Sequence, residues 1–389
     1  TLTRRATLAL AGATLAAPAL RARAASDAPG VTDKEILFGQ TMPYSGPASS
    51  YGTIGRAEAN YFKMINDQGG VNGRKLNFLS LDDGYSPPRT VELSRRLIEQ
   101  DKVAFLFSPL GTPTNTAARK YINERKVPDL FLATGATQFG DRAHFPWTIG
   151  WQPTYQIEGH IYANHILNTA PGAKVAVLLQ NDDSGKDYFK GLKDGLGAKA
   201  DKMIVASASY EVTDPTVESQ IVSLKDSGAD AFFFCGLPKF AAMTIRNVYD
   251  VAWRPRLFII SSTSSSVATG VVPAGVEKAK GVITTAYLKD PTDPQWATDD
   301  GFKGWSAWMD KYYPDGDRKD VNNVYGYTMA QTLVQTLKQC GDDLSRDNLM
   351  KQALTLDLAL PMLQPGVRVK TSPTEFYPLR QMRLVRFDG

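Results

Sequence analysis

The sequence is poor in the residues that carry most nucleophilic and metal chemistry. Two cysteines and three histidines occur in 389 residues. Cys235 ends an apolar stretch and Cys340 lies near the end of a helical one. They could pair in an oxidising compartment, which spacing does not show. Both are expected to stay unpaired and buried, since a chain of this length builds a core without staples. His160 and His165 are five apart on a helical stretch and do not share a face, so they offer no metal cluster. Nucleophile motifs are missing too. There is no G-x-S-x-G turn. Ser184-Gly-Lys-Asp187 lacks the upstream glycine of a phosphate loop and has Asp where Ser or Thr follows the lysine. Adjacent acids such as Asp82-Asp83 and Asp299-Asp300 read as caps or solvated loops, because neighbours in one strand point to opposite faces. No enzyme, cofactor or metal is expected. The most apolar run, Leu8–Leu20, is too short to span a bilayer.

That run has informative flanks. Arg4-Arg5 precedes it and Ala22-Arg-Ala24 follows it. A charged start, a short apolar centre and an A-x-A site read as a signal peptide, residues 1–24. The paired arginines hint at twin-arginine export, so the expected location is the periplasm. The formal charge of +4 then loses its meaning. Cutting after Ala24 removes four of the 44 basic residues and no acid, leaving 40 of each sign. A neutral chain has no electrostatic footprint for nucleic acid or anionic lipid. Apolar content of 43% and charged content of 22% are those of a soluble globular protein.

From Glu35 onwards apolar runs alternate with helical periodicity. Alternating βαβα implies parallel sheets with helices on both faces. The pattern restarts after an aromatic stretch, His144–Gln152, which suggests a second lobe. The expected fold is α/β: two doubly wound parallel-sheet lobes joined by three crossings around a cleft. The lobes are residues 28–150 plus 287–358 and residues 151–283 plus 366–389. The third crossing is placed at Leu358–Pro365, with an edge strand in Tyr377–Phe387.

The centre of this pattern is Phe105–Thr137. An apolar run ends in the turn Ser108–Thr116, a helix is expected over Ala117–Arg125, and Leu130–Leu132 ends in a second turn, Ala133–Thr137. In open α/β sheets ligands bind outside the carboxyl ends of the strands. Gly111 and Gly135 let backbone approach a guest, Thr112 and Thr137 offer hydroxyls, and the following helix start favours an anion. Capping alone accounts for either turn; two on adjacent strands point to a pocket for a small carboxylate.

The blocks TMPYSGPASSYGTIGRAEANYFKMINDQGGVNGRKLNFLSLDDG (41–84), GAKVAVLLQNDDSGKDYFKGLKDGL (172–196) and GADAFFFCG (228–236), with the paired turns at 105–137, carry a family resemblance. The chain resembles type I periplasmic solute-binding proteins of ABC importers, in the leucine/isoleucine/valine-binding family. The resemblance implies a monomer that closes like a Venus flytrap on its ligand and docks on a membrane permease. Carried over by position, it implies that Thr112, Thr137 and the backbone at Gly135–Ala136 hold a ligand carboxylate. Tyr51 and Tyr188 would face the ligand, and Leu237 stands where an aromatic residue is usual.

One departure redirects the ligand. Amino-acid binders of that family have an acid after the strand that is Leu257–Ile260 here, for the ammonium. This chain reads Ser261–Ser266, with Thr263 at its centre, and has no acid between Val251 and Val276. A desolvated ammonium without a counter-charge is costly. Asp182, Asp183 or Asp187 could substitute. Otherwise the ligand is an organic, aromatic carboxylate, against which Trp151 could stack unless it only packs the hinge. The alternatives are a branched-chain amino acid or amide ligand, and a sensory receptor domain of the same fold.

Overall fold

The computed structural model describes residues 28–389. The expected signal peptide lies outside them. Five strands form the first sheet: β1 (Glu35–Met42), β2 (Lys75–Asp82), β3 (Leu106–Phe107), β4 (Asp129–Leu132) and β5 (Thr148–Gly150). Their spatial order is β2-β1-β3-β4-β5, all parallel. The second sheet starts with β6 (Val175–Gln180), β7 (Ile204–Tyr210), β8 (Ala231–Cys235), β9 (Leu257–Ile260) and β10 (Ile283–Ala286). It runs β10-β9-β8-β6-β7, again parallel, so both lobes wind in the same order. The sequence explains the central strands. VAVLL, before the terminal Gln180, and AFFFC are apolar runs, as strands covered on both faces must be, and every residue of β6 and β8 is buried.

Helix starts follow local chemistry. Asp182 caps the helix Asp183–Leu196 by accepting from the Ser184 and Gly185 amides, and Thr154 caps Tyr155–Thr169 through Ile157. One start differs from the sequence expectation: the helix after β3 begins at Thr112 rather than Ala117. Pro113 sits in its first turn, where a missing N–H is harmless.

The chain's last third also departs from expectation. A short pair, β11 (Asp357–Leu358) and β12 (Val369–Lys370), folds back antiparallel. The Tyr377 hydroxyl reaches the Ala136 and Thr137 carbonyls of the first lobe. Only β13 (Arg383–Arg386) joins the second sheet, antiparallel to β10. Residues 366–379 thus pack on the first lobe, and the passage into the second falls between Leu379 and Arg383 instead of at Leu358–Pro365. Leu358–Pro365 does run beside the second connection. Leu363 bridges Leu288, Lys289 N–H donates to the Met362 carbonyl, and Gln364 bonds the Tyr287 and Leu288 carbonyls through its N–H and side-chain amide.

Candidate functional site

Each sheet reverses its winding direction once, between β1 and β3 and between β6 and β8. Ligands of open α/β sheets settle at such points, outside the strands' carboxyl ends. Here the two points face each other across one cavity of about 500 Å³. Tyr51, Leu110, Gly111 and Thr112 line it from the first lobe, and Gln180, Ser184, Gly236 and Leu237 from the second.

On the first lobe, Gly111 adopts φ +105°, where a side chain is strained. A Cβ there would lie 2.6 Å from both Thr114 Oγ1 and the Tyr85 ring. This bend aims Thr112 into the cavity. Its hydroxyl lies 2.7 Å from that of Thr134, which is 3.3 Å from the Tyr155 hydroxyl. The first-turn amides of helix Thr112–Glu124 have no partner within the helix. The Thr112 and Tyr155 hydroxyls and a helix start therefore converge at one end of the cavity, and the buried Thr134 hydroxyl lies between the two. Burial pushes the Tyr155 hydroxyl up to about 12, so it stays a proton donor.

The second lobe contributes rings and committed acids. Tyr155 and Tyr188 stack at 4.3 Å and 21°. Tyr188 donates to Glu158 at 3.0 Å, and Ser262 reaches the same carboxylate through its N–H (2.6 Å) and hydroxyl (2.8 Å). Tyr162 supplies a fourth donor at 2.5 Å. Burial raises the Glu158 pKa while these four donors oppose it. Sequence reasoning overlooked Glu158. The available signal was a lone acid on the apolar face of a helix, at helical spacing from Tyr155 and Tyr162. The acids that were considered are occupied: Asp182 by its cap, Asp183 by Gln138, and Asp187 by Thr137 and Gln156.

The structure brings Tyr51, Gly111, Thr112, Tyr188, Leu237 and Thr263 together on the cavity wall. Gly135, Ala136, Thr137 and Trp151 are not on it. The Gly135 carbonyl accepts from Tyr155 N–H, and Ala136 N–H donates to Thr134. Thr137 is turned to Asp187. Trp151 is fully buried, donates to Thr332 at 3.1 Å and packs edge-on to Tyr325 and Tyr287, as a hinge residue does. Further bonds tie the lobes around the cavity: Tyr51 hydroxyl to the Thr263 carbonyl at 2.7 Å, and Ser266 hydroxyl to Asp320 at 3.0 Å.

Comparisons with known proteins agree with this architecture. The family described as "Periplasmic binding protein" matches residues 35–389. The "Leu/Ile/Val-binding protein homolog 1" of Brucella abortus is 24% identical over 318 residues, 79% of this chain and 80% of its own. Among solved structures, a fatty acid ABC transporter substrate-binding protein from Thermomonospora curvata superposes with TM-score 0.79 at 21% identity, covering 93% of this chain and 90% of its own. A solute-binding protein of an ABC transporter from R. palustris, solved in complex with benzoate, gives TM-score 0.76 at 21% identity, covering 91% and 94%. The two facing lobes with their switch-point cavity are thus those of a solute binder and not of an enzyme: the chain belongs to the periplasmic binding proteins of type I.

Proposed function

We propose that this chain captures a small organic carboxylate, aromatic by preference, between its lobes and delivers it as a monomer to an ABC permease in the membrane. The observation that carries the reading is the pairing of a hydroxyl-rich helix start at Thr112 with tyrosine rings, beside Asp182, Asp183, Asp187 and Glu158, whose carboxylates are engaged. A carboxylate finds donors there: the Thr112 and Tyr155 hydroxyls, backed by Thr134, and the first-turn amides. A planar group finds the Tyr51, Tyr85 and Tyr188 rings. An ammonium finds no uncommitted carboxylate at that end. The benzoate bound by the R. palustris protein supports this class.

A second reading has its own observation. Tyr188 and Ser262 give their protons to Glu158, so their oxygens keep lone pairs for a cation. An amino acid could place its ammonium there, as the name of the Brucella relative suggests. Isothermal titration calorimetry with benzoate and leucine on the ligand-stripped protein separates the two. Benzoate binding without leucine binding is the expected result. The opposite result sinks the aromatic reading and installs Tyr188 and Ser262 as the ammonium site.

A further inference from the structure

The cavity does not end at the tyrosines. Along the second lobe's edge its lining also includes Val267, Val271, Val282, Ala286, Val385 and Phe387. The strand period explains this wall. Val282, Thr284 and Ala286 stand on one face around β10, and β13 pairs Val385 directly with Thr284. Thr284 and Ala286 on β10 are only half-buried, as is Val385 on the edge strand β13. The far mouth is polar, with Asp290, Asp293, Arg386 and Asp388 around it.

Resting on the carboxylate reading above, we infer that this part of the cavity is a tail chamber and that the ligand is an extended amphipathic acid. Its carboxylate sits at Thr112, and an alkyl or aryl-alkyl chain runs along the face of β10 towards Val385. The volume supports this, since about 500 Å³ lies within the range of pockets that enclose drug-sized molecules. So does the chemistry of the walls: five aliphatic side chains and a phenyl ring recognise methylenes, and the Thr284 hydroxyl is the polar group among them. The charged far mouth sets a limit, because a tail reaching it must stop or carry a polar terminus.

The test is calorimetric titration with straight-chain alkanoates and phenylalkanoates of rising length, together with the corresponding primary alcohols. Within the chamber each added methylene should tighten binding about fourfold, until the series reaches the far mouth and the gain stops. In Ala286→Phe, which fills the chamber, the ratio of long-chain to short-chain affinity should fall to about one. Val385→Trp, on the half-exposed edge strand, is the second plug, and an unchanged ligand-free melting curve certifies that either variant folds. Affinity that is flat or falls with length in the wild type overturns the chamber, as does a plugged variant that keeps the length gain. Alcohols that bind as tightly as acids, with the same length dependence, overturn the carboxylate reading and leave the chamber standing. Short acids that bind while long ones do not leave the carboxylate reading standing and remove the chamber.

Discussion

Asp187 Oδ2 accepts two bonds from Thr137, one from the backbone N–H and one from the hydroxyl, both at 2.8 Å. The loop that resemblance assigns to a ligand carboxylate thus already holds a carboxylate, supplied by the opposite lobe. Gln156 fixes the other Asp187 oxygen at 2.6 Å. The contact is a clasp between the lobes. Asp187→Ala should leave Thr137 without its acceptor and favour the open form. Ligand affinity should drop by about 1–3 kcal/mol, and small-angle scattering should show a larger radius of gyration. Unchanged scattering and affinity would remove the clasp.

Tyr51 and Thr263 make the second tie, 2.7 Å from phenol to carbonyl. Burial pushes the Tyr51 hydroxyl well above its ordinary range, so it keeps its proton and donates at any working pH. Tyr51→Phe keeps the ring and deletes the donor. Calorimetry should show affinity lower by about 0.5–1.5 kcal/mol, and an equal affinity would mean that the bond forms only at the expense of a comparable one to water.

Glu158 gathers four donors from Tyr162, Tyr188 and Ser262. Glu158→Gln replaces one accepting oxygen by an NH₂ that faces donors. Urea unfolding should report a loss of about 1–3 kcal/mol. A neutral outcome would show that the glutamate is already protonated in the fold and that its proton serves as the amide's would.

Asp129 is fully buried on β4, and among the described residues neither carboxylate oxygen has a hydrogen-bond partner. Burial pushes its pKa up to about 7, with Arg119 pulling the other way. The unfolded value is about 3.9. The folded chain therefore holds this proton more tightly, and stability falls as pH rises from about 4 to about 7. Above that window the ionised group costs the fold a few kcal/mol. In Asp129→Asn the penalty is gone. The melting temperature of the wild type should decline relative to the variant between pH 4.5 and 7.5, and parallel curves would refute the assignment.

Much of this was legible in the sequence, for local reasons. Gly111 and Thr112 follow an apolar run, so strand and turn are written in consecutive letters, whereas the helix start at Thr112, five residues before the expected Ala117, is not. The uniform apolar runs of β6 and β8 announce buried parallel strands. What stayed hidden depends on distant partners. Asp187 lies 50 residues from Thr137, and no local pattern says that one lobe's acid will seat in the other's loop. Glu158 looks like any helical glutamate until Ser262, 104 residues away, folds onto it. The third crossing was misplaced because the return of 366–379 to the first lobe rests on packing, such as the Tyr377 ring against Gly140, rather than on a break in alternation.

The two backbone bonds and the Gln364 side-chain bond that lace Tyr287–Lys289 to Met362–Gln364 also limit how the molecule can move. The second connection and the segment laced to it bend as a single ribbon. They resist sliding past one another, since a slide would break three bonds at once, whereas a bend across the ribbon breaks none. Opening is thereby channelled into rotation about one axis, like a lid on a strap. Such a joint returns the lobes to the same register after every release, so each cycle begins with Thr137 poised opposite Asp187 and Tyr51 opposite Thr263.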